Sequence, residues 1–496
     1  MHIGQVLDTV FDDFVGWRPA SGSLKPVHVA NGVIRSLCGE VADVRRLHEF
    51  LVWWRKGKVA DDERTFEALM AADGEGVYAG FTDHPTQLFE QARTYALGLL
   101  GGDHALFPTH DSSSFSLTCK QMVTRDHNDR HLGDFIAQTI LGGSTLAEII
   151  RSYADVTKPQ DPITALAWPL LRGQSKRLEP GARRHRIKQP RTHQEYLTQM
   201  REAAECLATH ERRQGNHLRA LQRVVQFGSV AVLAHAQALA AGGRLDRRSP
   251  LLVAMSASRQ SDIALASERS LDLTVRAFER WLADKLAERI AAGEPLVPEE
   301  NPLPANTSHP KSVRATLSRI GVAEKGHGEP SDELVEGRMA TYRRISEERE
   351  SPAEILAHTL VDCYCRENKS GGPHPFLVGL ARKVGLAYPH KQGAARNKRI
   401  RPTVLVLDML VRACVPAGES VPIDVFLERL WDRFGLVVGG RRSEEWDDGE
   451  TLARSGISLD YQDLVGNTEA LIDELAAMGF ARRYPDAVAF VGEGAL

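Results

Sequence analysis

A helical stripe runs from Asp262 to Ala292. Apolar residues recur at steps of three and four, and the positions between them are largely charged. This spacing places the apolar side chains on one face of a helix. Gly293 then predicts the end of the helix. The residues of the stripe are Leu271, Val275, Phe278, Leu282, Leu286 and Ile290.

A second long helical segment is predicted from Glu195 to Leu239. The pair Gln214-Gly215 interrupts it and predicts a kink, because glycine is a poor residue for a helix interior. After a polar connection, Leu251 to Met255 is short, apolar and suited to a buried strand. Together with the stripe, these segments predict a helical middle domain.

The C-terminal hundred residues predict three helices followed by a hairpin. Pro402 precedes one apolar stripe, and Pro422 opens a second helix that Gly435 ends in a left-handed conformation. Asn467 is a suitable N-cap for a third helix that reaches Met478. The segment "FARRYPDAVAFV" then predicts two short strands. This order is typical of a winged helix.

The segment "PTVLVLDMLVRACVPAGESVPIDVFLERLWDRFGLVVGG", with the helix and hairpin that follow it, carries a resemblance. It resembles the ends of large helical subunits from bacterial multi-gene phage-defence clusters. The resemblance implies a subunit of a larger assembly and supplies no catalytic residue.

Proline-rich and basic segments divide the remaining chain, and we predict a mainly α, multidomain protein. The N-terminal domain is expected to be α with minor β. The predicted parts are an N-terminal domain at 1–171, a basic linker at 172–194, a helical middle domain at 195–292, a Pro-rich linker at 293–312, a helical domain at 313–400 and a winged-helix-like domain at 401–496.

Composition agrees with a folded, soluble protein. Of 496 residues, 42% are hydrophobic and 26% charged, and the formal net charge is −3. The first residues lack a basic signal-peptide region, and no uncharged apolar run is long enough to span a bilayer. The six cysteines form no CxxC pair, which favours a reducing compartment. We therefore expect a cytoplasmic protein without membrane contact.

Motifs of common enzymes are missing from the sequence. It contains neither a Walker A loop, nor a dinucleotide fingerprint, nor a G-x-S-x-G or H-E-x-x-H motif. We expect no cofactor and no metal. The alternative is a metal-dependent hydrolase or nuclease that uses the His- and Asp-rich segment 103–134, where His127 and His131 would share a helix face. The candidate ligands are His104, His110, His127 and His131.

Two basic runs suggest contact with the backbone of double-stranded DNA, because clustered cations neutralise phosphates. The first run contains no Phe, Tyr or Trp, so its pattern does not favour stacking on bases. The first run supplies Lys176, Arg177, Arg183, Arg184, Arg186, Lys188 and Arg191, and the second supplies Lys391, Arg396, Lys398, Arg399 and Arg401.

The predicted third helix of the C-terminal domain is acidic instead. Its expected outward positions include Glu469, Asp473 and Glu474 and no basic residue. The sequence therefore predicts a non-enzymatic, DNA-associated subunit of a bacterial assembly, in antiviral defence by the resemblance, whose C-terminal domain binds protein. A pure protein adaptor is the other alternative.

Overall fold

The structure, a computed structural model, is mainly helical, as the sequence predicts. It describes residues 3–20, 24–42, 120–124, 128–155, 175–177, 193–255, 261–294, 310–321, 330–368, 371–389, 397–443, 446–485 and 488–495. No helix in this described part is long and apolar enough to cross a membrane.

The helices follow one another from the N-terminus to the C-terminal hairpin. They are α1 (Ile3–Val10), α2 (Pro26–Cys38), α3 (Leu132–Phe135), α4 (Thr145–Ala154), α5 (Gln194–Gln214), α6 (His217–Ala240), α7 (Asp262–Ala291), α8 (Pro310–Arg319), α9 (Asp332–Glu348), α10 (Pro352–Glu367), α11 (Pro373–Lys383), α12 (Val404–Cys414), α13 (Ile423–Phe434), α14 (Asp448–Arg454) and α15 (Tyr461–Ala477).

The strands are short. They are β1 (Glu40–Ala42), β2 (Ser175–Arg177), β3 (Leu251–Leu252), β4 (Ala387–Tyr388), β5 (Arg399–Ile400), β6 (Val421–Pro422), β7 (Leu436–Val437), β8 (Ala481–Arg483) and β9 (Ala489–Val491). β1 pairs antiparallel with β2, β4 pairs antiparallel with β5, and β3 pairs parallel with β7. The strands β6, β9 and β8 form one antiparallel sheet in that order.

The chain divides into two compact units, and neither is a continuous segment. Unit 1 contains Met1–Ser23, Ile187–His210 and Gln226–Leu496, and unit 2 contains Leu24–Arg186 and Glu211–Val225. The linear division into domains stays a prediction, since its Pro-rich linker lies largely outside the described residues.

Helix α7 supplies the centre of unit 1. Ser261 caps its first turn by accepting a hydrogen bond from the Ala264 N–H at 3.3 Å. The predicted stripe from Leu271 to Leu286 is buried, whereas Ile290 is half-buried. This face packs against α10 and α11. The periodicity of the apolar residues therefore located both the helix and its buried face.

Trp17 fastens the N-terminal segment to this core. Its ring lies 5.6 Å from that of Phe278 and 5.4 Å from that of Phe376, measured between centroids. Its indole N–H donates to Nδ1 of His235 at 3.3 Å. A buried tryptophan needs such a partner for its polar atom.

The predicted kink at Gln214-Gly215 is a reversal of the chain. Gly215 adopts a left-handed conformation with φ of 60°, and α6 begins two residues later. The Tyr196 hydroxyl donates to the carbonyl of Ala231 at 2.6 Å, so α6 returns alongside α5. Because glycine tolerates a positive φ, it permits a tight turn here rather than a bend.

Strand β3 is buried, as the pattern of Leu251 to Met255 predicts. Its neighbours come from distant parts of the chain: β7 on one side and, through a bridge between Val253 and Ile400, β5 on the other. The hydroxyl of Ser267 on α7 donates to the carbonyl of Leu252 and accepts from the N–H of Ile400.

Asn467 corrects one prediction. The last helix begins at Tyr461, and Asp460 is its N-cap, so Asn467 lies inside α15. Its buried amide accepts from the Met255 N–H at 2.8 Å and donates to the carbonyls of Val253 and Val438, both at 2.7 Å. Asparagine is a common N-cap residue, but the side chain of Asn467 instead completes the hydrogen bonds of buried extended backbone.

In unit 2, α2 packs closely on α3. The backbones of Gly32 and Gly133 are so near that a Cβ on either would overlap the other segment. Asn31 accepts from the N–H of Thr124 at 2.9 Å and donates to its carbonyl at 3.2 Å. The two glycines therefore set the distance between these helices.

We predict that Asn467→Ala lowers the free energy of unfolding by about 3 kcal/mol, because it leaves three buried backbone groups without partners. Gln462→Ala, at an exposed position of the same helix, should change it by less than about 0.5 kcal/mol. Chemical denaturation measures both. An equal effect of the two substitutions would contradict this role of Asn467.

Candidate interaction surfaces

Of the cations in the first basic run, the structure describes Lys176 and Arg177. Ser175, Lys176 and Arg177 form β2, which pairs with β1, so part of the predicted linker is a strand. Arg183, Arg184, Arg186, Lys188 and Arg191 lie outside the described residues. Their contact with phosphate stays a prediction.

The second basic run is partly interior. The side chain of Lys398 is 3% exposed and that of Arg399 is 1% exposed. Lys398 Nζ donates to the carbonyl of Pro389 at 2.8 Å, and the guanidinium of Arg399 lies 5.1 Å from the centroid of Tyr388. Both residues are therefore interior and do not form part of a surface that could contact DNA in this structure.

The rest of this run contributes little to the described surface. Arg401 is half-buried and lies 5.4 Å from the same Tyr388 ring. Lys391 and Arg396 lie outside the described residues. The run is a continuous basic segment in the sequence. In the structure, β5 lies in the core, so Arg399 and the preceding Lys398 are buried there.

His131 is the one candidate histidine of the cluster that the structure describes. It has a left-handed backbone, with φ of 69°, and precedes α3. Asn128 to Arg130 form a turn, and a helix face shared by His127 and His131 stays a prediction. His104, His110 and His127 lie outside the described residues.

The described members of this cluster form an ion-pair network. Arg35 Nη2 lies 3.7 Å from Asp129 Oδ1 and 3.6 Å from Asp134 Oδ2, and His131 Nδ1 lies 3.1 Å from Asp134. The cationic group between the carboxylates of Asp129 and Asp134 is therefore the guanidinium of Arg35. Among the described residues, no group of three or more His, Cys, Asp or Glu is arranged to hold a metal ion.

Asp129 is the most deeply buried acid of the network. Burial raises the pKa of its carboxyl to about 6, although Arg35 and the Gly133 N–H both favour the charged form. The N–H of Gly133 donates to Asp129 Oδ2 at 2.8 Å. This carboxylate therefore fixes the turn before α3, which is a structural role.

Helix α15 presents an acidic face. Leu471, Ile472 and Leu475 are buried, and Glu469, Asp473 and Glu474 are exposed, as the sequence predicts. This set of three carboxylates is called the acidic face below. Ala476 and Ala477 are also exposed, and Met478 is half-buried.

The hairpin of β8 and β9, next to α15, does not make this surface positively charged. Arg483 on β8 lies 2.8 Å from Glu469 and 2.7 Å from Asp473, so its guanidinium is already paired. Arg482 lies 5.5 Å from the ring centroid of Tyr484. One carboxylate of the acidic face, Glu474, has no ion-pair partner within the described residues.

An exposed basic turn escaped the sequence reasoning. The residues from Arg212 to Asn216 are all exposed, and Arg219 is exposed on the first turn of α6. We call residues 212–219 the hairpin tip. The signal was present, since no Asp or Glu stands between Glu211 and Asp246. The sequence predicts a kinked helix here, in which these arginines would not lie together. The observed reversal of the chain at Gly215 brings them to one end of a helix pair.

A cleft in unit 1 has a volume of about 480 Å³. Two arginines of its lining hold the fold: Arg429 donates to the carbonyl of Cys414 at 2.8 Å, and Arg433 donates to that of Ala413. Arg433 also lies 3.7 Å from Glu202.

Comparison with known proteins gives no independent assignment. No protein-family model matches the sequence, and a search of curated proteins finds no significant match.

Two histidines with lowered pKa values lie in the core of unit 1. His193 lies edge-on to His235, with 5.2 Å between ring centroids, and both are buried. Burial lowers the pKa of His193 to about 4 and that of His235 well below its usual range. Both rings are therefore neutral near pH 7.

We predict that His193→Gln reduces the pH dependence of stability between pH 7 and pH 5. The unfolded histidine gains a proton below about pH 6.5, whereas the folded one stays neutral until about pH 4. The native chain should thus lose roughly 2 kcal/mol through this group by pH 5, a loss that glutamine cannot show. Denaturant titrations at the two pH values test this; parallel losses in both proteins would contradict it.

Proposed function

We propose that the protein is a non-enzymatic, DNA-associated subunit of a larger assembly, and that its C-terminal region binds a protein partner with a basic surface. The acidic face of α15 carries the second part of this proposal. The basic runs and the near-neutral net charge support local rather than global attraction to DNA.

We infer a winged-helix-like domain from residue 401 onward. The order α12, β6, α13, α15, β8 and β9, with β9 between β6 and β8 in the sheet, supports this inference; β7, which follows α13, pairs with β3 instead. An additional short helix, α14, stands between α13 and α15. In this reading, α15 occupies the place of a recognition helix.

Electrostatics oppose the usual use of a recognition helix here. A helix that enters the major groove has phosphates on both sides, so exposed carboxylates meet like charge. The acidic face carries three of them, and Arg483 beside it is paired. A basic protein surface is the complementary partner.

The resemblance of the C-terminal segment to phage-defence subunits supports a place in a bacterial, cytoplasmic antiviral assembly. The metal-dependent hydrolase receives no support from the described residues, because Arg35 occupies the centre of the carboxylate cluster. A pure protein adaptor differs from our proposal only in lacking DNA contact.

We predict that Glu469→Lys, Asp473→Lys and Glu474→Lys together release a partner that copurifies with the native protein. The matched control, Glu333→Lys, Glu347→Lys and Glu348→Lys, alters exposed acids of α9 and should retain that partner. Quantitative mass spectrometry of the purified assembly measures the retained fraction, and partner loss in the control as well would remove the evidence for α15.

The same two triple variants also test the orientation of α15 toward DNA. If α15 stays outside the DNA interface, both variants gain the same small, charge-dependent increase in duplex affinity. A much larger gain in the α15 variant would place this helix at the DNA and overturn the assignment.

We predict that Arg183→Ala, Arg184→Ala, Arg186→Ala and Lys188→Ala together weaken duplex binding. Each lost phosphate contact should reduce the slope of log K against log salt by about 0.9. Fluorescence anisotropy with duplexes of two unrelated sequences, at several salt concentrations, measures affinity and slope. Failure of the unaltered assembly to bind duplex at low salt would refute the DNA-associated function.

A further inference from the structure

The hairpin tip is an exposed polar surface held on a rigid base. Five polar side chains of this segment face solvent: Arg212, Arg213, Gln214, Asn216 and Arg219. Exposed carboxylates are missing from this stretch, because the nearest acid, Glu211, is buried. Three guanidinium groups therefore share one end of a helical pair.

Buried contacts fix the base of the tip. Glu211 at the end of α5 pairs with Arg223 on α6, with 2.9 Å between Oε1 and Nη1. The hydroxyl of Tyr153 on α4 donates to the Glu211 carbonyl at 3.1 Å. The Tyr153 ring also stacks on His217, with centroids 4.1 Å apart and planes 9° apart. All these residues belong to unit 2.

Within the described residues, the arginines of the tip are not occupied in holding the fold. In the described part of the chain, Arg212 and Arg213 have no ion-pair partner, and Arg219 contacts only the amide of Gln222, at 3.3 Å. Arginines in the last turn of α5 lie close to the negative end of the helix dipole, which accounts for part of their presence. That effect does not account for Arg219, which lies at the opposite, positive end of α6.

We propose that the hairpin tip binds the phosphate backbone of double-stranded DNA. Guanidinium groups donate two parallel hydrogen bonds to one phosphate, and the first backbone N–H groups of α6 favour the same anions. Asn216 orders this end by accepting from the Arg219 N–H at 3.1 Å. Because Glu211 and Arg223 hold the two helices together, little ordering is required on binding.

The composition of the tip favours nucleic acid over an acidic protein. Protein interfaces normally contain an apolar or aromatic centre, and the exposed residues 212–216 include none. The lack of an aromatic side chain there also favours the sugar-phosphate backbone over stacked single-stranded bases. The site adds to the predicted basic runs and rests on the proposed DNA-associated function.

The test uses the full chain with Arg212→Gln, Arg213→Gln and Arg219→Gln combined. The control removes the same charge from three exposed arginines of unit 1, Arg276→Gln, Arg343→Gln and Arg442→Gln. Anisotropy with a random-sequence duplex is recorded from low to moderate salt, and thermal unfolding confirms that both variants fold.

We expect the tip variant to lose about tenfold or more in affinity and its salt slope to fall by about 2 to 3, with a much smaller change in the control. Equal losses in both variants would show a net-charge effect and overturn the site. An unchanged slope in the tip variant would overturn the site while leaving the DNA-associated function intact. If the unaltered chain binds no duplex at low salt, the function fails and the site fails with it.

A second ligand separates phosphate from carboxylate recognition. Polyglutamate of the same charge as the duplex should bind weakly and about equally to the unaltered chain and the tip variant. If the tip variant loses polyglutamate binding and keeps duplex binding, the tip is a site for acidic protein and not for DNA.

Discussion

Hydrogen bonding of the buried segment 251–255, which begins with β3, is the constraint on which unit 1 depends. A buried backbone without partners is costly, and an extended segment cannot satisfy its own polar groups. The partners come from Gly435 and β7, from Ile400, from Ser267 and Ser270 of α7 and from Asn467 of α15. Helices and strands separated by up to 214 positions must therefore meet at one place, which ties the middle of the chain to its C-terminal region.

Arginine serves two different purposes in this chain. Several arginines are buried and donate to carbonyls at the ends of helices: Arg248 to the end of α13, Arg338 to the end of α8 and Arg433 to that of α12. Burial lowers the pKa of Arg248 to about 10, yet it remains charged and lies over the Trp431 ring. Such cations satisfy orphan carbonyls and are unavailable to a ligand. The hairpin tip differs because its arginines donate to no such carbonyl within the described residues.

The two surfaces with opposite charge belong to different compact units. The hairpin tip is part of unit 2, and the acidic face of α15 is part of unit 1. Separate surfaces of opposite sign allow one chain to attract a polyanion and a basic protein at the same time, which a uniformly charged protein cannot do. A net charge of −3 conceals this segregation, because it averages over both surfaces.

The sequence by itself determined the helical class, the stripe of α7, the strand at Leu251, the end of α13 at Gly435 and the outward carboxylates of α15. Each follows from local periodicity or from a glycine's conformational freedom, which neighbours in sequence decide. Only the tertiary structure decided that Asn467 is interior, that Lys398 and Arg399 are buried and that Gly215 reverses the chain. These outcomes depend on which distant segment needs a donor, a cation or a close approach. A run of charges in sequence carries no information about that requirement, so burial rather than composition selects the cations that remain free to bind.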